Sequence, residues 1–101
     1  MINYVKTVQE FDNLIQKDNV LVDFYTSWCG PCKMLSPIIE EIAEENKNLT
    51  VIKVDVEEVR ELGLRYQIQA VPSLFHFRKG TLVDKVMGYQ SKDSLIEFVT
   101  K

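Results

Sequence analysis

The sequence predicts an α/β fold with a central mixed five-stranded sheet flanked by four helices. Strand-type apolar runs alternate with helical patterns along most of the chain. Near its end, two strand-type runs follow one another directly. Alternation first and a hairpin last implies a mixed sheet with helices packed on it. The composition agrees: 101 residues, 46% hydrophobic and 27% charged, with four glycines and three prolines. Residues 1–101 are therefore expected to form a single domain with one core, and collagen-like, low-complexity and disordered chains are excluded.

A weak strand opens the chain. Thr7-Val8-Gln9-Glu10 fits a capping box, with Thr7 as N-cap and Glu10 reaching back to it. Phe11, Leu14 and Ile15 then follow at i, i+3 and i+4, predicting an amphipathic helix near 8–17. Val20 to Tyr25 is a β-rich and nearly continuous apolar run, the pattern of a strand buried on both faces. A second helix runs to about Asn46 with Leu35, Ile38, Ile39, Ile42 and Ala43 on its apolar face. Pro37 lies inside it and is expected to kink it.

Leu49 to Val56 reads as a further buried strand, interrupted by Lys53 and Asp55. Residues 57–66 carry Val59, Leu62 and Tyr66 at helical spacing, although Gly63 weakens that helix by about 1 kcal/mol. Leu74 to Phe77 and Leu82 to Met87 are strands paired through the tight Arg78-Lys79-Gly80 connection. Ser91 caps a last helix whose inward face is Leu95, Ile96 and Val99.

Twelve Lys and Arg stand against fifteen Asp and Glu, a net charge of −3. No basic footprint points to nucleic acid or to an anionic membrane surface, and no apolar run approaches a membrane span. The start of the chain lacks the features of a secretory signal or transit peptide, so a cytoplasmic location is expected. There are two cysteines. A secreted domain built on disulfides would normally carry more, so these two are not expected to be scaffolding.

They fall in Trp28-Cys29-Gly30-Pro31-Cys32-Lys33, where a buried strand hands over to a helix. Unpaired N–H groups and the helix dipole at such a start stabilise a thiolate, so the Cys29 pKa should fall below the free value of about 8.5. Lys33 adds to this field. Cys32, one turn in, should be more buried and Cys29 exposed. Gly30 and Pro31 suit a tight turn into a helix. The chemistry this serves is dithiol–disulfide exchange: Cys29 attacks a partner disulfide, Cys32 resolves the mixed disulfide, and the pair ends as Cys29–Cys32. A zinc site would need about four ligands, and His76 is the only other good candidate, so no metal is expected. A structural disulfide closing so short a loop gains little entropy.

With strand, motif and helix in place, the chain resembles the thioredoxin family. The likeness covers essentially the whole chain. It rests on Trp28-Cys29-Gly30-Pro31-Cys32, Asp23-Phe24, Pro37, Lys53 with Asp55, Val71-Pro72, Gly80 and Gly88. It implies the thioredoxin fold, with helices on both sheet faces and a cis Val71-Pro72 peptide facing the cysteines. Departures are Thr26-Ser27, Gln67, Ser73 and Tyr89; Tyr89 is bulky beside Gly88 and bears on partner choice.

Asp23 reads either as a strand-face carboxylate reaching solvent or as a buried carboxyl with a raised pKa that accepts the Cys32 proton through water. The resemblance favours the second. Lys53 is either a surface lysine or the partner that tunes Asp23, and the second is preferred. Trp28, Gly30, Pro31, Val71, Pro72 and Gly88 would form a shallow apolar docking face. Phe11, Phe75, Phe77 and Phe98 are core aromatics, and His76 is a satisfied, partly buried structural residue.

The function expected is that of a protein-disulfide reductase acting on disulfide-containing client proteins. No Gly-rich dinucleotide fingerprint is present, so no cofactor is expected and electrons come from a partner, a thioredoxin reductase, NADPH- or ferredoxin-linked. A monomer is expected, with no nucleic-acid or membrane partner. A disulfide-forming or isomerising relative in an oxidising compartment is an alternative. A binding or assembly subunit that uses the fold without the thiols is another.

Overall fold

The computed structural model describes residues 2–101, and the elements follow the predicted order. They are β1 (Ile2–Tyr4), α1 (Val8–Leu14), β2 (Val20–Tyr25), α2 (Gly30–Glu45), β3 (Thr50–Asp55), α3 (Arg60–Arg65), β4 (Ser73–Arg78), β5 (Thr81–Met87) and α4 (Lys92–Val99). The strands lie in the order β1-β3-β2-β4-β5. β3 runs parallel to both β1 and β2, whereas β4 runs antiparallel to β2 and to β5. The sheet is mixed, as expected.

Alternation along the strands sorts side chains into two cores. Val20, Val22, Phe24, Ile52, Val54, Phe75 and Phe77 meet Phe11 and Ile15 on one face, with Val59 and Leu62. Leu21, Val51 and Leu74 meet Leu35, Ile39 and Ile42 of α2 and Leu95, Phe98 and Val99 of α4 on the other. β2 has a strand on each side and a helical layer on each face. That is why it reads as a continuous apolar run. Asp23 and Lys53 share the α2/α4 face, because they are direct partners in the parallel β2–β3 register.

Several boundaries differ from expectation. α1 ends at Leu14 rather than near residue 17, and Gln16 and Lys17 close it as turns onto Asn13 and Leu14. Thr7 caps it through the Glu10 N–H, but the Glu10 carboxylate reaches the Lys6 N–H and not that of Thr7. α2 continues through Pro37, which deprives only the Lys33 carbonyl of its usual helical donor. α3 is shorter than 57–66 because Glu57 and Glu58 donate their N–H groups to the Asp55 carboxylate and form a turn first. Gly63 earns its place sterically, since a Cβ there would sit 3.2 Å from Val56 Cβ. Ile96 is only half-buried, and Phe98 fills the α4 core position instead.

The β4–β5 turn places Lys79 and Gly80 at φ 50° and 86°, the left-handed pair that a twisted two-residue hairpin requires. Their N–H groups bond to Lys17 and Ile15 carbonyls, tying the hairpin tip to the end of α1.

Candidate active site

The cysteines occupy the predicted junction. Cys29 is the N-cap of α2 and Pro31 lies in its first turn, where a missing N–H costs nothing. Cys29 and Cys32 form a disulfide with Cα atoms 5.2 Å apart. The Cys32 N–H points at Cys29 Sγ from 3.2 Å, the placement that favours negative charge on that sulfur. Cys29 Sγ also lies 3.6 Å from the Val71 carbonyl oxygen.

One expectation is corrected here. Cys29 is not the exposed member of the pair, for both cysteines are 4% exposed. The bond to Cys32 draws Cys29 Sγ onto the helix start, and the Val71 carbonyl covers it from the side. Lys33 is exposed, and a Cβ at Gly30 would meet open space.

Asp23 is fully buried on the α2 side of β2, and neither carboxyl oxygen has a hydrogen-bond partner among the described residues. Burial pushes its pKa up to about 6, against the opposing pull of Lys53. Lys53 is itself buried, with Nζ 3.8 Å from Asp23 Oδ2. Its ammonium donates instead to Ser36 Oγ at 2.9 Å and lies 5.0 Å from the centre of the Tyr25 ring. A cleft of 150 Å³ opens onto this group between Tyr4, Tyr25, Cys32, Ser36 and Lys53.

The apolar rim has a consistent placement. Val71-Pro72 is cis, and the Pro72 carbonyl accepts the Gly88 N–H at 2.8 Å, so these two loops are locked together beside the cysteines. Pro72 is buried and Val71 half-buried, while Gly30, Pro31 and Tyr89 are exposed. Trp28 is 67% exposed and donates its Nε1–H to Glu57 at 2.9 Å. It shares a cleft of 190 Å³ with Glu57, Ile68 and Val71.

His76 is elsewhere. It pairs opposite Leu21, towards the start of β2, and the cysteines follow the other end. It is fully buried rather than partly so, Nε2 bonds to Asn19 Oδ1, and Nδ1 has no partner among the described residues. Among these residues no cluster of three or more His, Cys, Asp or Glu is arranged to hold a metal ion.

A family model described as Thioredoxin matches residues 3–101. The chain belongs to the thioredoxin family. The thioredoxin of Mycoplasmoides gallisepticum is 38% identical over 99 residues, 97% of this chain and 99% of that protein. That of Staphylococcus epidermidis is 40% identical over 96 residues, covering 94% and 92% of the two chains. Among solved structures, a thioredoxin variant from Halobacterium salinarum superposes with a TM-score of 0.91 at 39% identity, over 97% of this chain and 87% of that one. A thioredoxin from Plasmodium falciparum gives 0.90 at 33% identity, over 97% and 96%.

Membership of the thioredoxin family and the Cys29–Cys32 pair make this protein a thiol-disulfide oxidoreductase with a redox-active disulfide. The family works with disulfide-bearing client proteins and a reductase. Two contacts of this thioredoxin site escaped sequence reasoning. Glu57 holds the indole from 29 positions away, which no local pattern signals. Ser36 has a signal: one turn after Cys32, it is the polar residue in an otherwise apolar stripe of α2.

Proposed function

We propose that the protein is a protein-disulfide reductase in which Cys29 is the nucleophile, Cys32 the resolving thiol and Asp23 the proton acceptor. The Cys29 thiolate attacks one sulfur of a client disulfide, and the client's other sulfur leaves as a thiolate. Asp23 takes the Cys32 proton through water, and the Cys32 thiolate attacks Cys29 Sγ. The client's second sulfur departs, two electrons have passed to the client, and Cys29–Cys32 is oxidised. Thioredoxin reductase returns the electrons, so the protein is an electron carrier.

The observation that carries this reading is Cys29 Sγ at the N-cap of α2, facing the Cys32 N–H. It supports a thiolate at Cys29 before Cys32. The unpartnered Asp23 carboxyl, with a pKa of about 6, suits a base working near neutrality. Lys53 tunes it. Clients dock on Trp28, Gly30, Pro31, Val71, Pro72 and Gly88, with Cys29 becoming accessible as the disulfide opens. Residues 1–101 act as one domain, a monomer in the cytoplasm. No helix among the described residues is long and apolar enough to cross a membrane.

Reduction of insulin disulfides with dithiothreitol as electron source tests the mechanism. Cys29→Ser abolishes turnover, and Cys32→Ser accumulates mixed disulfides with clients. Unchanged turnover in Cys29→Ser would overturn the assignment.

A further inference from the structure

The hydroxyl of Ser36 is a polar group that the mechanism above does not use. It accepts a hydrogen bond from Lys53 Nζ at 2.9 Å and donates to the Cys32 carbonyl oxygen at 3.5 Å. Lys53 therefore bonds to α2. It forms a loose ion pair with Asp23 but no hydrogen bond, the nearer carboxyl oxygen being 3.8 Å away. The Tyr25 and Tyr4 rings lie 5.0 and 5.9 Å from the ammonium.

We propose that Ser36 is a positioning residue for the resolving step: its hydroxyl tethers the Lys53 ammonium beside α2 and keeps it from hydrogen-bonding Asp23. The Asp23 oxygens are thereby left free to receive the Cys32 proton. This rests on the reading of Asp23 as proton acceptor. A lysine bonded directly to a carboxylate stabilises its charged form and weakens it as a base. An ammonium held off at 3.8 Å offsets only part of the effect of burial, and Asp23 keeps its raised pKa.

The surrounding groups leave Lys53 as the cation that matters. β4 presents Leu74 directly opposite Asp23, with His76 two residues further along, opposite Leu21. The inward residues of α4 are Leu95, Phe98 and Val99. Tyr4 of β1, Tyr25 of β2, and Cys32 and Lys33 of α2 line the adjoining cleft. Lys33 is exposed.

The test compares Ser36→Ala and Ser36→Thr with the parent and with Asp23→Asn. Ser36 is half-buried and alanine is smaller and a good helix former, so the alanine variant is expected to fold. In Ser36→Ala the freed ammonium moves onto Asp23. The Asp23 midpoint, read by carboxyl carbon NMR across pH, then falls by about 1 unit. The acidic limb of the resolution rate falls with it, and resolution at pH 7 slows by about two- to fivefold. Ser36→Thr, which keeps the hydroxyl, restores both. An unchanged or higher Asp23 midpoint in Ser36→Ala overturns the proposal. If Asp23→Asn slows resolution while Ser36→Ala moves neither midpoint nor limb, the role of Ser36 alone fails. If Asp23→Asn resolves mixed disulfides at the parent rate, the proton-acceptor reading fails and takes this inference with it.

Discussion

Replacing Asp23 by asparagine removes a charge that the fold buries at a cost, so the variant should be more stable than the parent. The carboxyl titrates at about 6 in the folded protein, compared with 3.8 when ordinary and exposed. Above pH 6 the folded state holds an ionised group that it disfavours. Between 3.8 and 6 the folded state binds more protons than the unfolded chain, so parental stability rises as pH falls through that window. Two pH units and a little more, at about 1.36 kcal/mol each, amount to about 3 kcal/mol. Asparagine mimics the neutral carboxyl at every pH. Its advantage should therefore be about 3 kcal/mol at pH 8 and largely vanish by pH 4. Urea unfolding of the oxidised proteins at the two pH values reads this directly, as the difference in midpoint multiplied by the shared slope. An advantage that is equal at both pH values would refute the reasoning, because a packing effect does not titrate.

His76 should act with the opposite sign. Burial, then Arg78, hold its pKa below 6.5, with Lys101 adding to them and Asp84 opposing. The stability it contributes is complete above pH 6.5 and is lost as pH falls through the lowered value. His76→Gln, placed in the Asp23→Asn background to remove the other slope, should flatten the acid side of the stability profile in urea titrations; an unchanged profile contradicts this. The glycines divide by backbone angle. Gly80 and Gly88 have φ of 86° and 90°, so alanine at either should cost about 1–2 kcal/mol; at Gly80 the Cβ would meet only the free end of the Gln16 side chain, which can move aside. Gly30→Ala enters open space and should stay within about 0.5 kcal/mol in the same unfolding assay.

Much of this molecule is legible in the order of its residues. The run Val20 to Tyr25 predicts β2 to the residue, because a central strand must be apolar on both faces. The motif at 28–32 and the helical stripe after it place the cysteines at a helix start. What stays hidden depends on register. Asp23 and Lys53 are thirty positions apart; their partnership is preferred from the sequence, but its physical cause, the parallel pairing of β2 with β3, is not visible there. Whether Lys53 bonds to Asp23 or to Ser36 is then decided by distances of 3.8 and 2.9 Å, below anything that periodicity resolves. The burial of Cys29 is hidden for a related reason. Local sequence places it at a helix start, but the atom that covers it belongs to Val71. The short α3 reflects a competition that propensity misses, in which the Asp55 carboxylate claims two N–H groups for a turn.

The reversed direction of β4 gives the core a second task. Because β4 runs against β2, the start of one strand lies beside the end of the other, with Ser73 opposite Phe24. The backbone at Val71 and Pro72 can thus meet the cysteine loop. A slip of two residues in this pairing would preserve every inward-facing position and still move that backbone by about 7 Å. A slip of one would exchange Phe75 and Phe77 with Leu74 and His76 across the sheet. The aromatic packing of Phe75 against Phe24, ring centres 5.1 Å apart, resists the larger slip as well. These buried rings act as the gauge that sets where the Val71–Pro72 backbone meets the cysteine loop.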